Sequence, residues 1–212
     1  MAYIFYFTGK YMFHTIHQNI KNFFDLIALA ENLKKEIRHS WLSNGRQESV
    51  AEHSWRLSLM ALGVSHLFEK NQYDCAKAVK MAIIHDLVEA IATDIPLFET
   101  QDNQEMQFKK RQAEEQAIET IAEMAGDSWG KEIKSLWFEH ENQTSFEAKV
   151  VRCLDKLEAQ IQHNEADLST WTDWEKQRVY SGKLEEVSEF NEITALLCEY
   201  VVNQAKEKLI ES

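Results

Sequence analysis

Apolar residues recur at three- and four-residue intervals along nearly the whole chain, a spacing that predicts a succession of amphipathic helices. Phe23, Ile27, Ala30 and Leu33 mark one helix over residues 19–37. Val50, Leu57, Ala61, Val64 and Phe68 mark a second over residues 49–69, and His53 falls on the same inward stripe. A third opens with Asp74 as N-cap and carries Val79, Ile83 and Leu87 before the single proline, Pro96, forces a break. Further helices are predicted over residues 103–125, 128–140, 145–164 and 188–211, with a short helix flanked by loop in LSTWTDWEKQRVYSGK. Between the first two helices, RHSWLSNGRQ reads as a loop with Asn44 and Gly45 as its turn signal.

Composition sharpens this picture into a fold class. The chain has 6 glycines and 1 proline in 212 residues, against a usual combined share of about 12%. So few turn-formers argue against a many-stranded fold and for an all-α, single-domain helical bundle. No linker, repeat or low-complexity tract divides the chain, and 44% hydrophobic residues suffice for a sizeable core. Residues 1–11, aromatic and without a motif, are expected to be an extension upstream of a domain spanning residues 12–212.

Charge and cysteine usage exclude several classes of partner. With 23 Lys+Arg against 35 Asp+Glu the net charge is −12, which disfavours binding to a nucleic acid polymer or an anionic membrane. A small anion held by a metal stays open. No run approaches the length of a membrane span, and the N-terminus lacks the features of a signal peptide. The 3 cysteines contain no CxxC, so neither a disulfide framework nor a zinc knuckle is expected, and a cytoplasmic setting fits.

The chemistry concentrates in a few polar residues on otherwise apolar stripes. His85 and Asp86 are adjacent in MAIIHDLVEA, where helical neighbours diverge by about 100° and serve one ion only at the seam between their directions. His53 lies on the preceding helix and Asp155 on a later one, in VVRCLDKLEAQIQ. Two imidazoles and two carboxylates from three helices suit Mn, Co, Ni, Fe or Zn better than calcium. Each residue alone also has a plainer reading: His53 as a hydrogen-bonded core histidine, His85 as a surface residue, and Asp86 and Asp155 as solvated or salt-bridged carboxylates. Glu89 shares a helical face with His85 and Asp86, Asp94 in ATDIP can cap a turn, and Arg38 and Trp41 can be a surface ion pair and a packing aromatic. Arg46 and Ser54 are further pocket candidates. Trp171, Trp174 and Tyr180 read as anchors of a late segment, with a stacking platform as the alternative. There is no GxSxG, P-loop or GxGxxG.

In combination, His53, the His85-Asp86 pair and Asp155, with Arg38, Trp41, ESVAEHS, HDLVEAIATDIP and DKLEAQIQH, resemble the HD superfamily of metal-dependent phosphohydrolases. The local match is to its YfbR-like and HDDC-type 5'-deoxynucleotidases, over roughly residues 30–165. The resemblance implies that His53, His85, Asp86 and Asp155 ligate one divalent ion, drawn from Mn, Co, Zn, Ni, Fe and Mg. It implies that Glu89 handles the proton of an attacking water, and that Asp94 lies near the 5' oxygen and sugar as a candidate for protonating the leaving group. Arg38 is implied to meet the phosphate and Trp41 to pack near the sugar, although the RHSW spacing departs from the adjacent Arg-Trp of the YfbR branch. The implied reaction removes the 5'-phosphate from (deoxy)nucleoside 5'-monophosphates, and the implied assembly is a homodimer. Other phosphoesters (nucleoside triphosphates, alarmones, cyclic nucleotides) and a non-catalytic, metal-stabilised helical binding protein are the alternatives.

Overall fold

In the computed structural model the described residues are 2–95 and 103–211, with side chains described from Thr15 onward; the break expected at Pro96 lies outside them. Helix α1 (Ala2–Ala30) closes in a 3-10 turn (Glu31–Lys34), and the segment expected to be a loop is instead a hairpin, β1 (Ile37–Trp41) and β2 (Gln47–Ser49). Gly45 supplies the turn with φ +82°, a conformation strained for side chains with a Cβ. The strands are antiparallel, with Ile37 opposite Ser49 and Trp41 opposite Gln47, so β1 takes four steps where β2 takes two. The surplus bulges β1 and breaks its simple in-out alternation. Apart from this ribbon the described architecture is all-α, as the spacing predicts.

Helix α2 (Val50–Val64) starts where Ser49 and Glu52 form a capping box, an arrangement that stabilises a helix start by about 1 kcal/mol. It ends before Phe68, which is still buried. Helix α3 (Cys75–Ile84) has the expected Asp74 cap, the carboxylate accepting from Lys77 N. It stops at His85, well before the proline, and a turn leads to the short α4 (Glu89–Ala92). Helices α5 (Gln104–Ala125) and α6 (Asp127–Glu141) pack so closely that a Cβ on Gly130 would fall 2.0 Å from the Ala122 carbonyl oxygen.

Helix α7 (Phe146–Glu165) is the axis of the fold, touching α2, α3 and α6 as well as the late helices α9 (Lys183–Ser188) and α10 (Glu192–Ile210). Before these, LSTWTDWEKQRVYSGK resolves into a 3-10 turn (Leu168–Thr170) and α8 (Asp173–Arg178), with α9 beginning at its last residue. Val150, Val151, Leu154 and Leu157 of α7 are buried in two core clusters, each contributing about 1.5–3 kcal/mol. Asp155, Glu158, Gln160 and Gln162 of the same helix are buried too. Burying that much polarity is costly unless each group has a partner, and the partners define the functional site. Among the described residues, no helix is long and apolar enough to cross a membrane.

Candidate metal centre

Four side chains from three elements meet beside α7. His53 comes from the first turn of α2, His85 from the C-terminal cap of α3, Asp86 from the turn after it and Asp155 from the middle of α7. His53 Nε2 is 3.2 Å from Asp155 Oδ1 and 3.7 Å from Asp86 Oδ2; His85 Nε2 is 3.0 Å from Asp86 Oδ2 and 4.0 Å from Asp155 Oδ1. The adjacent His85 and Asp86 converge because the backbone tightens at the helix end. Leu87, Glu89 and Ala90 donate to carbonyls three residues back, in the 3-10 pattern. Trp137 of α6 fixes the corner, its indole N–H donating to the His85 carbonyl at 3.1 Å.

The donor atoms fit a divalent cation. His85 Nδ1 is 2.9 Å from the Ala82 carbonyl oxygen, and His53 Nδ1 meets Glu158 Oε2. Acceptors at both Nδ1 positions leave the Nε2 lone pairs aimed at the carboxylates, and neither buried Nε2 has a hydrogen-bond partner. Two lone pairs facing two carboxylate oxygens repel one another unless a positive charge lies between them. Without a metal that charge is a proton: burial opposes protonation of His53, but Asp155 and Glu158 hold its pKa up at about 9. Asp155 is held well below the ordinary range, against the opposing effect of burial, by Lys156 and His53. The group is therefore built to carry a cation, and a metal competes there with a proton.

Glu89 and Asp94 stand over this centre. Glu89 follows Asp86 by one 3-10 turn, its N–H donating to the Asp86 carbonyl at 3.0 Å. Glu89 is 6% exposed, with Oε2 unpartnered, and burial followed by the charges of Asp86 and Asp94 raises its pKa well above the ordinary value. Asp94 follows Thr93, a β-branched residue at φ +64°, a strained backbone held in place by the Asp94 N–H donating to Glu36 Oε1. Arg38, 15% exposed, reaches across with Nη1 3.4 Å from Asp86 Oδ2 and Nε 3.4 Å from Glu48 Oε2.

These groups line a cavity of about 490 Å³, within the usual range for small-molecule sites. Arg38, His85, Asp86, Glu89, Asp94 and Asp155 are on its wall. Trp41 and Arg46 are not. The bulge in β1 puts His39 and Ser40 on the wall instead, leaving Trp41 to offer only its carbonyl, to Gln162. Arg46 is drawn outward to Glu52, its two terminal nitrogens 2.6 and 3.0 Å from that carboxylate. Ser54 is buried off the cavity. Trp171 anchors the late segment as expected, donating to the His163 carbonyl, and Tyr180 is exposed; Trp174 departs from the anchor reading by lining the cavity. The sequence reading missed Glu158, Trp137 and His140. Glu158 had a signal, lying one turn after Asp155 on the same buried face. His140, whose ring packs edge-on to His85, had none, since α6 and α3 bring it there only in three dimensions.

Comparison with known proteins agrees with this geometry. The HD domain family matches residues 30–194. The zebrafish (Danio rerio) protein named 5'-deoxynucleotidase HDDC2 is 34% identical over 146 residues, covering 68% of this chain and 69% of that protein. Among solved structures, a conserved hypothetical protein from Pyrococcus furiosus superposes with a TM-score of 0.65 at 31% identity, covering 87% of this chain and 99% of its own. A protein from Magnetospirillum magnetotacticum, described as a predicted metal-dependent phosphohydrolase, shares the fold with a TM-score of 0.75 at 21% identity, over 90% and 97% of the two chains.

Proposed function

Because the chain belongs to the HD domain family, we propose that it is a metal-dependent 5'-nucleotidase that converts (deoxy)nucleoside 5'-monophosphates to nucleoside and phosphate. The observation that carries this reading is the convergence of His53 Nε2 and His85 Nε2 on the Asp86 and Asp155 carboxylates, with His85, Asp86 and Asp155 lining one cavity with Arg38 and with Glu89, whose Oε2 is buried and unpartnered. The zebrafish relative's name supplies the substrate class.

His53, His85, Asp86 and Asp155 would hold the ion, and two imidazoles with two carboxylates suit Mn, Fe, Co, Ni or Zn better than calcium. When bound, the ion supplies Lewis-acid activation of water and neutralises charge on the phosphoryl group. Arg38 adds a second positive charge there, and its present partner Asp86 shows that it reaches the centre. Glu89 Oε2 takes the proton of the attacking water, a task suited to a carboxyl whose pKa is lifted by burial and negative neighbours. Asp94, raised chiefly by burial, returns a proton to the departing 5' oxygen.

The test is phosphate release from deoxyribo- and ribonucleoside 5'-monophosphates, with triphosphates alongside, using protein stripped of metal and resupplied with Mn, Co, Zn or Mg. Release from monophosphates that returns with metal and is absent in Asp86→Ala supports the reading. A stoichiometrically loaded protein that releases phosphate from no nucleotide overturns it.

A further inference from the structure

The cavity has a second wall that the chemistry above leaves unused. It is made by α8 and the C-terminal half of α7. His163 lies eight residues beyond Asp155 on α7, about 12 Å along the axis at the helical rise per residue. The cavity therefore extends well beyond the acidic centre along α7. Glu175 of α8 ties this end to the bulged strand, with Oε1 3.3 Å from both His163 Nε2 and His39 Nε2. One turn on, the Arg178 guanidinium lies over the Trp174 indole, Cζ 5.1 Å from the ring centroid, and both residues line the cavity.

The Arg178-Trp174 pair is an unusual way to leave a cation. Burial alone shifts the Arg178 pKa, downward, with no carboxylate offsetting the loss of hydration. Most other guanidiniums of the described fold face acids: Arg38 meets Asp86 and Glu48, Arg46 meets Glu52, and Arg56 meets Glu158 and Glu165. A guanidinium over an indole keeps its N–H donors in its own plane, pointing past the ring edge. Such a surface accepts a flat heterocycle, stacked on or coplanar with the pair. A second phosphate is the poorer occupant at Arg178 because the ionised Glu175 carboxylate stands on the adjoining turn of the same helix.

We propose that Trp174 and Arg178 form a nucleobase subsite in which Arg178 selects bases that present a carbonyl oxygen over those that present an amino group. Arginine carries donors only. Guanine and hypoxanthine offer O6 and N7 as paired acceptors, and thymine and uracil offer O4; adenine and cytosine place an amino donor at the corresponding position, donor against donor. Helix α8, rather than Trp41, then sets the base preference within the nucleotidase reading on which this proposal rests.

Isothermal titration of the metal-stripped protein, which cannot turn over, separates the two. The ligands are dIMP against dAMP and dUMP against dCMP, each pair differing at the carbonyl or amino position, with 2-deoxyribose 5-phosphate as the base-free reference. The expected result is tighter binding of dIMP and dUMP than of their amino partners by on the order of ten-fold, a preference that disappears in Arg178→Met, while Arg178→Lys keeps part of it. An equal affinity for the paired ligands in the wild-type protein overturns the proposal, as does a preference that survives Arg178→Met. Thermal melting of each variant identifies one that fails to fold, and its place is taken by Trp174→Leu, which is expected to weaken all four nucleotides relative to deoxyribose 5-phosphate. Selective binding without phosphate release after metal is restored would fail the hydrolase reading and leave the subsite standing.

Discussion

The two ring nitrogens of His53 face two clusters of carboxylates that look alike in composition. On the Nε2 side are His85, Asp86 and Asp155; on the Nδ1 side are Glu48 and Glu158. Both sides hold enough ligand atoms, close enough together, for a metal. They differ in their nitrogen donors and in their access to the cavity. Glu158 receives Arg56 Nε at 2.6 Å, and Arg56 continues to Gln162 and Glu165, while Arg38 lies beside Glu48. The Nε2 side opens on the cavity and keeps two histidine nitrogens unpartnered. A buried acidic cluster is therefore not a metal site by composition. The open side has cations of its own, Arg38 at Asp86 and Lys156 at Asp155, and what sets it apart is a pair of unpartnered imidazole nitrogens beside the cavity, while the other side supports the orientation of His53.

The sharpest way to break this distinction is to remove an acid from the open side. Asp86→Ala is expected to abolish stoichiometric metal, read by elemental analysis after dialysis, together with phosphate release. Retained stoichiometric metal would move the centre elsewhere. Glu89→Ala should cost about 10²–10⁴-fold in kcat at unchanged metal content, and loss of metal in that variant would make Glu89 a ligand and not a proton carrier.

The sealed side should respond more gently and in a different observable. Glu158→Gln frees His53 Nδ1 from its charged partner and leaves Arg56 with Glu165 but without the charge of Glu158, so metal affinity is expected to weaken about 10–100-fold with a lowered melting temperature. An unchanged metal titration would show that the Glu158 contact does not orient His53. The smallest effect tests compensation at a third acid. Burial alone would raise Glu175, but hydrogen bonds from His39 and Thr172 hold it at about 2. A depressed folded pKa adds stability above the ordinary 4.5 that is lost as pH falls toward 2. Urea midpoints measured between about pH 5 and about pH 3 should fall with acid in the wild-type protein and fall less in Glu175→Gln.

Much of this was legible in the residues. Helices α5, α6 and α7 follow the apolar period to within a residue or so of each end, because amphipathic spacing, scarce glycine and caps such as Asp74 and Ser145 are local properties. The four residues proposed as metal ligands were legible as a group because their order along the chain carries a recognisable pattern, and the fold brings them together. The hairpin was not, since RHSWLSNGRQ lacks the alternation that marks a strand and its pairing is fixed by α2 and α7 packing around it.

The sequence by itself determined the helical bundle and singled out His53, His85, Asp86, Asp155 and Glu89 as candidates for one site. Only the tertiary structure decided which side of His53 is open, that the bulge in β1 turns His39 and Ser40 inward in place of Trp41, and that Arg46 is drawn to Glu52. It also brought Trp174 and Arg178 to the same cavity as Asp155. The physical reason is range. Helix periodicity and capping act within about one turn of the chain, whereas the charge on a buried group depends on which arginines arrive from a hundred residues away, as Arg56 does at Glu158.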